Sequence, residues 1–297
     1  MKTGPHHRRW DATAFTLIEL LISMAILAAI AVLFTNILGG VNHVWTNGEQ
    51  RVQNFQAGRA VADLISRELS QAAISPRLQF VQDPTLPTTT PAKAANSSSL
   101  FWQAPLNTAE GKANCEVGYY LVRDEANAIY QLKRLFIPPT GTAQFLIYDS
   151  PPSATSASWV TNSDLATNSS TVADGVIALW FRCFDGNGDP IPWLDPNGIK
   201  FNSAASFQWM TGTSSSFTYT GTSTAQAHRL PASVEVTLVT LDSTALVQKP
   251  VPPPIPAASD VNDIPAQVAA FNASLRANGI QSARTFTTRI NLVNSPK

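Results

Sequence analysis

Histidine, cysteine and charge are all scarce in this chain, and each shortage removes a class of chemistry. Four histidines occur in 297 residues: His6, His7, His43 and His228. A Ser-His-Asp set in the C-terminal part would have to use His228, and no Gly-x-Ser-x-Gly elbow accompanies it. His228, between Ala227 and Arg229, reads as a surface or strand-edge residue. Asp124 and Glu125 are sequence neighbours, so on a strand they point to opposite faces; they read as a hairpin turn, not as an acid/base pair. Gly-x-Gly occurs at Gly186–Gly188 inside a turn, so no phosphate-cradling loop is expected. The two cysteines, Cys115 and Cys183, form no Cys-x-x-Cys pair, and with so few histidines a Cys-based metal site is not expected. Charged residues make up 13% and the formal net charge is +0. Such a surface gives no electrostatic reason to bind nucleic acid. No cofactor and no catalysis are expected.

What the chain does have is an apolar run over residues 14–38 that holds one ionisable side chain, Glu19. From Phe15 to Leu38 it is long enough to cross a bilayer as a helix, which takes about 20 apolar residues. A carboxylate near a bilayer centre costs about 2.5–3.5 kcal/mol or more, so Glu19 requires a partner that neutralises it. Residues 1–14 carry Lys2, Arg8 and Arg9 against Asp11, a balance that holds the N-terminus in the cytoplasm and sends the rest across. A secretory signal would have small residues after its core. Here nothing past Leu38 reads as that site, and the small residue is Ala14, ahead of Phe15. Removing residues 1–14 leaves 17 basic against 19 acidic residues, a formal charge of −2.

Ala14-Phe15-Thr16-Leu17-Ile18-Glu19-Leu20-Leu21 resembles the type IV prepilin motif, in which Gly precedes Phe-Thr-Leu-Ile-Glu-Leu-Leu. The resemblance implies that a prepilin peptidase cuts between Ala14 and Phe15 on the cytoplasmic side and methylates the new amine. Ala14 stands where the family has Gly; as the smallest alternative it is expected to allow slower cleavage. The resemblance further implies that the Phe15 amine and the Glu19 carboxylate pair, and that this pairing sets subunit register in a filament. Pairing within one chain is equally compatible with the sequence.

Beyond the run, Gly39-Gly40 is expected to interrupt the helix as a hinge or a tolerated weak spot. Val41, Val44, Trp45, Gly48, Val52, Phe55, Ala62, Ile65, Leu69 and Ala72 then recur at steps of three and four, one buried face of a helix that stops at Ser75-Pro76. Residues 77–99 read as an exposed loop. Strands are expected over 99–103, 115–123, 128–136, 145–148, 172–184, 234–241 and 283–292. A hairpin or surface insertion is expected over 207–224, a polyproline segment over 249–256, and a helix over 265–277 capped by Asp263 and ended by Gly279. The fold class is therefore α+β: a long N-terminal helix, half transmembrane and half amphipathic, on an antiparallel β-rich periplasmic domain. The divisions are a leader at 1–14, a transmembrane helix at 15–38, an amphipathic continuation at 39–75, and the β-rich part at 76–297.

The stretches GRAVADLISRELSQA, CEVGYYLVRD, LKRLF, VIALWFRCFDGNG and LPASVEVTLVTLD resemble the minor pseudopilins of type II secretion, especially the J type. They also resemble the type C pilin-like proteins of the Verru/Chthon cassette group. This implies a pilin-like subunit of a secretion or pilus-like complex in the inner membrane, with prepilin peptidase, other pilin-like subunits and membrane lipid as partners. The Pro-rich stretch and the last helix and strand lie outside the J pattern. Cys115 and Cys183 could close one disulfide loop or remain two buried thiols. Asp185, Asn187 and Asp189 space their oxygens like the start of a calcium loop, but Pro190 and Pro196 stand where that loop needs Gly and Glu, which favours a turn. Trp102, Trp159, Trp180, Trp193 and Trp209 would suit carbohydrate binding if exposed, and core packing if not. A membrane-tethered adhesin or sugar-binding protein is the alternative function; a tethered hydrolase lacks its catalytic set.

Overall fold

The structure, a computed structural model, describes residues 16–75, 78–87, 92–95, 97–124, 129–139, 156–161, 164–206, 229–241 and 257–294. The expected strand at 145–148, the insertion at 207–224, the polyproline segment at 249–256, and Ala14, Phe15, Trp209 and His228 lie outside them. The fold is α+β, with an N-terminal apolar helix and antiparallel sheets.

Helix α1 runs from Leu17 to Leu69, 53 residues without a break. Its first 25 residues, Leu17–Val41, have a mean hydropathy of 2.7 and are long and apolar enough to span a membrane. At about 1.5 Å per residue they cover roughly 37 Å, against a hydrocarbon core of about 30 Å. The expected interruption at Gly39-Gly40 is absent: the helix passes through both glycines, whose Cβ positions meet nothing. The interior hydrogen-bond ladder outweighs a glycine penalty of about 1 kcal/mol per residue. The far end also differs from expectation. The helix stops at Leu69, before Ser75, because the chain turns to join a sheet. Gln71 and Ala72 donate to the Glu68 and Leu69 carbonyls, and the Ala73 amide reaches the Gln103 carbonyl at 2.7 Å.

The chain divides into two compact units, residues 1–50 and 51–297. In the first, the apolar side chains of the Leu17–Val41 run are exposed. In the second, the last part of α1 buries Gly58, Val61, Ala62, Ile65 and Leu69, whereas Val52 and Phe55 remain half exposed. The buried face is therefore shorter than its periodicity in sequence. Gly58 is required by close approach: an added Cβ would enter the ring of Phe286.

The strands are β1 (Val81–Gln82), β2 (Ala92–Lys93), β3 (Leu100–Thr108), β4 (Gly111–Asp124), β5 (Ile129–Ile137), β6 (Ser169–Asp174), β7 (Val176–Phe184), β8 (Phe201–Asn202), β9 (Ser233–Thr240) and β10 (Arg284–Asn291). Short helices α2 (Ser158–Thr161) and α3 (Leu165–Asn168) precede β6, and α4 (Ile264–Ala277) precedes β10. One seven-stranded sheet has the order β6-β5-β4-β3-β1-β8, with β2 paired to β4; a three-stranded sheet has the order β10-β9-β7. The larger sheet is buried on both faces because its strands alternate between two cores. Trp102, Val117, Tyr119, Leu121 and Leu132 join Ile65 and Leu69 of α1. Phe101, Tyr120, Val122, Leu135 and Ile137 face Trp159 and Leu165 instead.

Three expectations are corrected here. The stretch read as one strand, 172–184, is two strands in different sheets. Gly175, at φ 78°, turns the chain between them, and its amide donates to the Tyr130 carbonyl at 2.9 Å. The described residues of 77–99 do not form an exposed loop: Phe80, Val81, Gln82, Ser98 and Ser99 are buried, and β1 and β2 lie there. Asp263 makes no side-chain cap on α4; Asp260 caps the preceding 3-10 turn, with Asp263 as its reciprocal partner. Gly279 ends α4 as expected, at φ 72°. Its amide donates to Arg276 and that of Ile280 to Leu275, the Schellman arrangement.

Candidate functional site

Thr16 and Glu19 form a reciprocal cap at the start of α1. The Thr16 amide and hydroxyl donate to Glu19 Oε2 at 3.0 and 2.9 Å, and the Glu19 amide lies 3.4 Å from Thr16 Oγ1. Thr-x-x-Glu is the capping-box pattern, in which each side chain satisfies the other's orphan amide. Glu19 thus sits in the first turn, where unpaired N–H groups and the helix dipole favour an anion. The carboxylate is the sole ionisable group between Leu17 and Val41, and here it has a partner inside its own chain.

A second polar group ties α1 to the larger sheet. Arg134 of β5 grips Glu68 of α1 through Nη2 at 2.6 Å and Nε at 3.0 Å, and the Tyr119 hydroxyl donates to Glu68 Oε2 at 2.6 Å. Burial pushes the Tyr119 hydroxyl well up, and the Glu68 charge adds to that, so Tyr119 remains a donor. Burial alone would lower Arg134, but the hydrogen bond and charge of Glu68 raise it. The set is closed on itself and serves as a clamp.

The two cysteines are free and buried, so no disulfide joins them. Cys115 lies on β4 of the larger sheet and Cys183 on β7 of the smaller. The Cys115 thiol points to the Ala113 carbonyl at 3.4 Å and the Cys183 thiol to Gln82 Oε1 at 3.8 Å. Burial raises both thiols above their ordinary value, which suppresses the reactive thiolate. The Asp185–Asp189 segment is a turn. Asp185 Oδ1 accepts from the amides of Asn187 and Asp189, both at 3.0 Å, and Gly188 takes φ 87°. Backbone donors thus occupy the oxygen a calcium ion would need, and the described residues contain no cluster of three or more His, Cys, Asp or Glu. Trp102, Trp159, Trp180 and Trp193 are all buried, so none offers an exposed platform for a sugar.

The sequence reading missed one further constellation. Asp83, at φ 53°, follows β1 and has a buried side chain. Its Oδ1 accepts from the Ser99 amide at 2.6 Å and lies 3.2 Å from Lys93 Nζ; its Oδ2 lies 2.9 Å from Lys200 Nζ. Burial pushes the Asp83 carboxyl up, but the Lys93 and Lys200 ammoniums and the Ser99 amide outweigh it and hold the group below the usual range. Lys200 Nζ also sits 4.4 Å from the centre of the Trp193 ring. These residues line a cavity of about 340 Å³ that Trp180 and Asn197 help to enclose. Asp83, Lys93 and Lys200 are up to 117 positions apart, and no local motif links them. Thr16, by contrast, was findable, because Thr-x-x-Glu stands in the motif itself. No family model, curated protein or solved structure matches the chain.

Proposed function

We propose that the chain is a pilin-like assembly subunit of the pseudopilin type. It is inserted with its N-terminus in the cytoplasm, cut between Ala14 and Phe15 by a prepilin peptidase, and drawn with other pilin-like subunits into a type II secretion or type IV pilus-like complex. The observation that carries this reading is the span Leu17–Val41, in which Glu19 is the lone charge and lies at the extreme N-terminal turn. An apolar helix end with one acid, directly after the expected cut, is what a bundle registered by charge pairing requires. In this reading the new Phe15 amine becomes a cationic partner for Glu19, in competition with the neutral donors of Thr16. The clamp of Glu68, Tyr119 and Arg134 supports it as well, because a helix pulled into a bundle must drag the β-rich part with it.

Mass spectrometry of the protein purified from its native membrane tests the reading. The expected N-terminal peptide begins at a methylated Phe15; a functional protein that retains Met1 or the leader defeats the proposal. Glu19→Ala is expected to insert normally and to be lost from pull-downs with partner subunits, and undiminished recovery there would remove the charge-pairing role.

A further inference from the structure

We propose that the outer edge of β10 docks one extended, acid-bearing strand of a partner protein, which joins the smaller sheet by backbone pairing. The site lies in the β-rich unit and does not depend on whether the leader is cut or α1 enters a bundle, so the two proposals fail separately.

The free edge follows from the ladder. β10 pairs with β9 over all eight residues, Arg284–Asn291, without a shift in register, and no strand among the described residues pairs its other side. The Leu292 amide donates toward β9, to the Ala232 carbonyl, whereas the Val293 amide donates the other way, to the Ser70 carbonyl just past α1. Backbone groups alternate sides along a strand, so the amides and carbonyls of Thr285, Thr287, Arg289 and Asn291 face away from β9. The Thr237 and Thr287 hydroxyls meet at 3.0 Å, which fits an opposed pair whose backbones do not bond each other. All four outward-facing residues are exposed.

Other edges of the two sheets carry the devices by which proteins discourage strand addition: shortness, bulges and cover. β8 is two residues long, and β6 is bulged against β5. The outer side of β7 is occupied by the Ser98 amide on the Leu179 carbonyl and by Gln82 Nε2 on the Phe181 carbonyl. β10 has no bulge, no Pro and no Lys. Arg289 does not guard it either, because its guanidinium folds back to 3.9 Å from the centre of the Phe184 ring and its Nε donates to Ser233 Oγ.

The side chains specify the partner. A strand on the outer side meets the same two rows of β10 side chains that β9 meets on the inner side. There β9 sets Leu238 opposite Phe286, Val234 opposite Ile290, and Glu235 opposite Arg289. Glu235, however, is taken by Arg182 at 2.9 Å, and neither Arg284 nor Arg289 has an ion-pair partner among the described residues. Beside the Phe286 row the half-exposed Phe55 ring stands 5.5 Å from that of Phe286 and extends the apolar surface. The segment that fits therefore alternates apolar residues, on the Phe286 side, with polar ones that include an acid. A second copy of β10 does not answer the charge: it adds two arginines and no acid.

Fluorescence anisotropy on the full-length chain in detergent micelles tests this, with a labelled synthetic peptide of the β9 sequence, SVEVTLVT, as probe. The peptide is expected to bind saturably, and its version with lysine in place of glutamate to bind about fivefold more weakly. Two further versions are N-methylated at alternate residues. One is expected to bind like the parent and the other at least about tenfold worse, since every second amide of a strand faces its neighbour. Thr287→Pro alters an outward amide, costs no ladder bond to β9, and is expected to weaken binding about tenfold. The absence of saturable binding overturns the proposal, as does equal affinity of the two methylated versions, whether both bind or both fail. Undiminished binding of the lysine version removes the acid from the partner's description and overturns that assignment. Self-association of the chain in micelles that Thr287→Pro abolishes gives the edge to a second copy instead. Unaltered binding by Thr287→Pro also overturns the proposal, and the methylated pair decides the matter if that variant fails to fold.

Discussion

Single side chains carry more of this molecule than their number suggests, and the Glu68 carboxylate is the clearest case. It accepts from Tyr119 and from two nitrogens of Arg134 while almost wholly out of water. A hydrogen bond to a charged group contributes about 1.5–3 kcal/mol, and removing one partner of a buried ion pair costs about 3–5 kcal/mol. Tyr119→Phe is therefore expected to lower unfolding stability by about 2 kcal/mol, and Arg134→Met by more, since it leaves the buried Glu68 without its ion-pair partner. Urea denaturation followed by tryptophan fluorescence orders them. Equal stability of wild type and Tyr119→Phe would mean that water replaces the hydroxyl and that the clamp is weaker than its geometry implies. At the same scale, the Thr16–Glu19 box separates two roles of one acid. Its capping role is local to the helix end, whereas the proposed pairing role concerns a neighbouring amine.

At the scale of elements, legibility followed locality. Helix α1, the strands β3, β4, β5, β9 and β10, and helix α4 with its Gly279 stop were readable because each records its periodicity or cap in consecutive residues. The division at Gly175 was not, because β6 and β7 are both strand-like and the information that they join different sheets resides in the partners. The same limit hid β1 and β2, whose two-residue lengths give no period; β1 is buried between β3 and β8, and β2 is defined by its pairing with β4. The cavity draws on that misread stretch, so two of its three charged residues, Asp83 and Lys93, were set aside as loop. Gly39-Gly40 errs in the opposite direction: composition argued for a break, and the helix runs through. Neither glycine has positive φ or a neighbour within 4 Å of its Cβ position. Changing both to Ala is therefore expected to stabilise α1 locally by about 1–2 kcal/mol, at roughly 1 per residue. Hydrogen exchange of the amides around residue 40 in micelles should slow accordingly. Unchanged or faster exchange would show that the pair is bent or melted in solution.

For the whole molecule, the two units differ in how they treat their apolar side chains. Residues 1–50 contain an exposed apolar run long enough to span a membrane, whereas most described apolar side chains of residues 51–297 are buried in two cores. In the second unit, Asp83 is the buried charge that ties stability to pH. The Asp83 carboxyl is held below the ordinary value near 4, so the folded state binds that proton less readily than the unfolded chain. By linkage, the stabilisation is fully present above about pH 4, the unfolded value, and is lost as pH falls through the lower folded value. Asp83→Asn keeps the size and tolerates φ 53°, but withdraws the negative charge from between Lys93 and Lys200. The variant is expected to unfold at lower temperature than wild type throughout pH 5–8, by an amount equivalent to about 3 kcal/mol. That gap should shrink steadily below about pH 4, where the unfolded wild-type chain takes up the proton more readily than the folded carboxyl does. Melting curves across that range decide the matter: a gap that persists undiminished into strong acid would assign the effect of Asn to packing, and a gap that widens there would reverse the sign of the argument altogether.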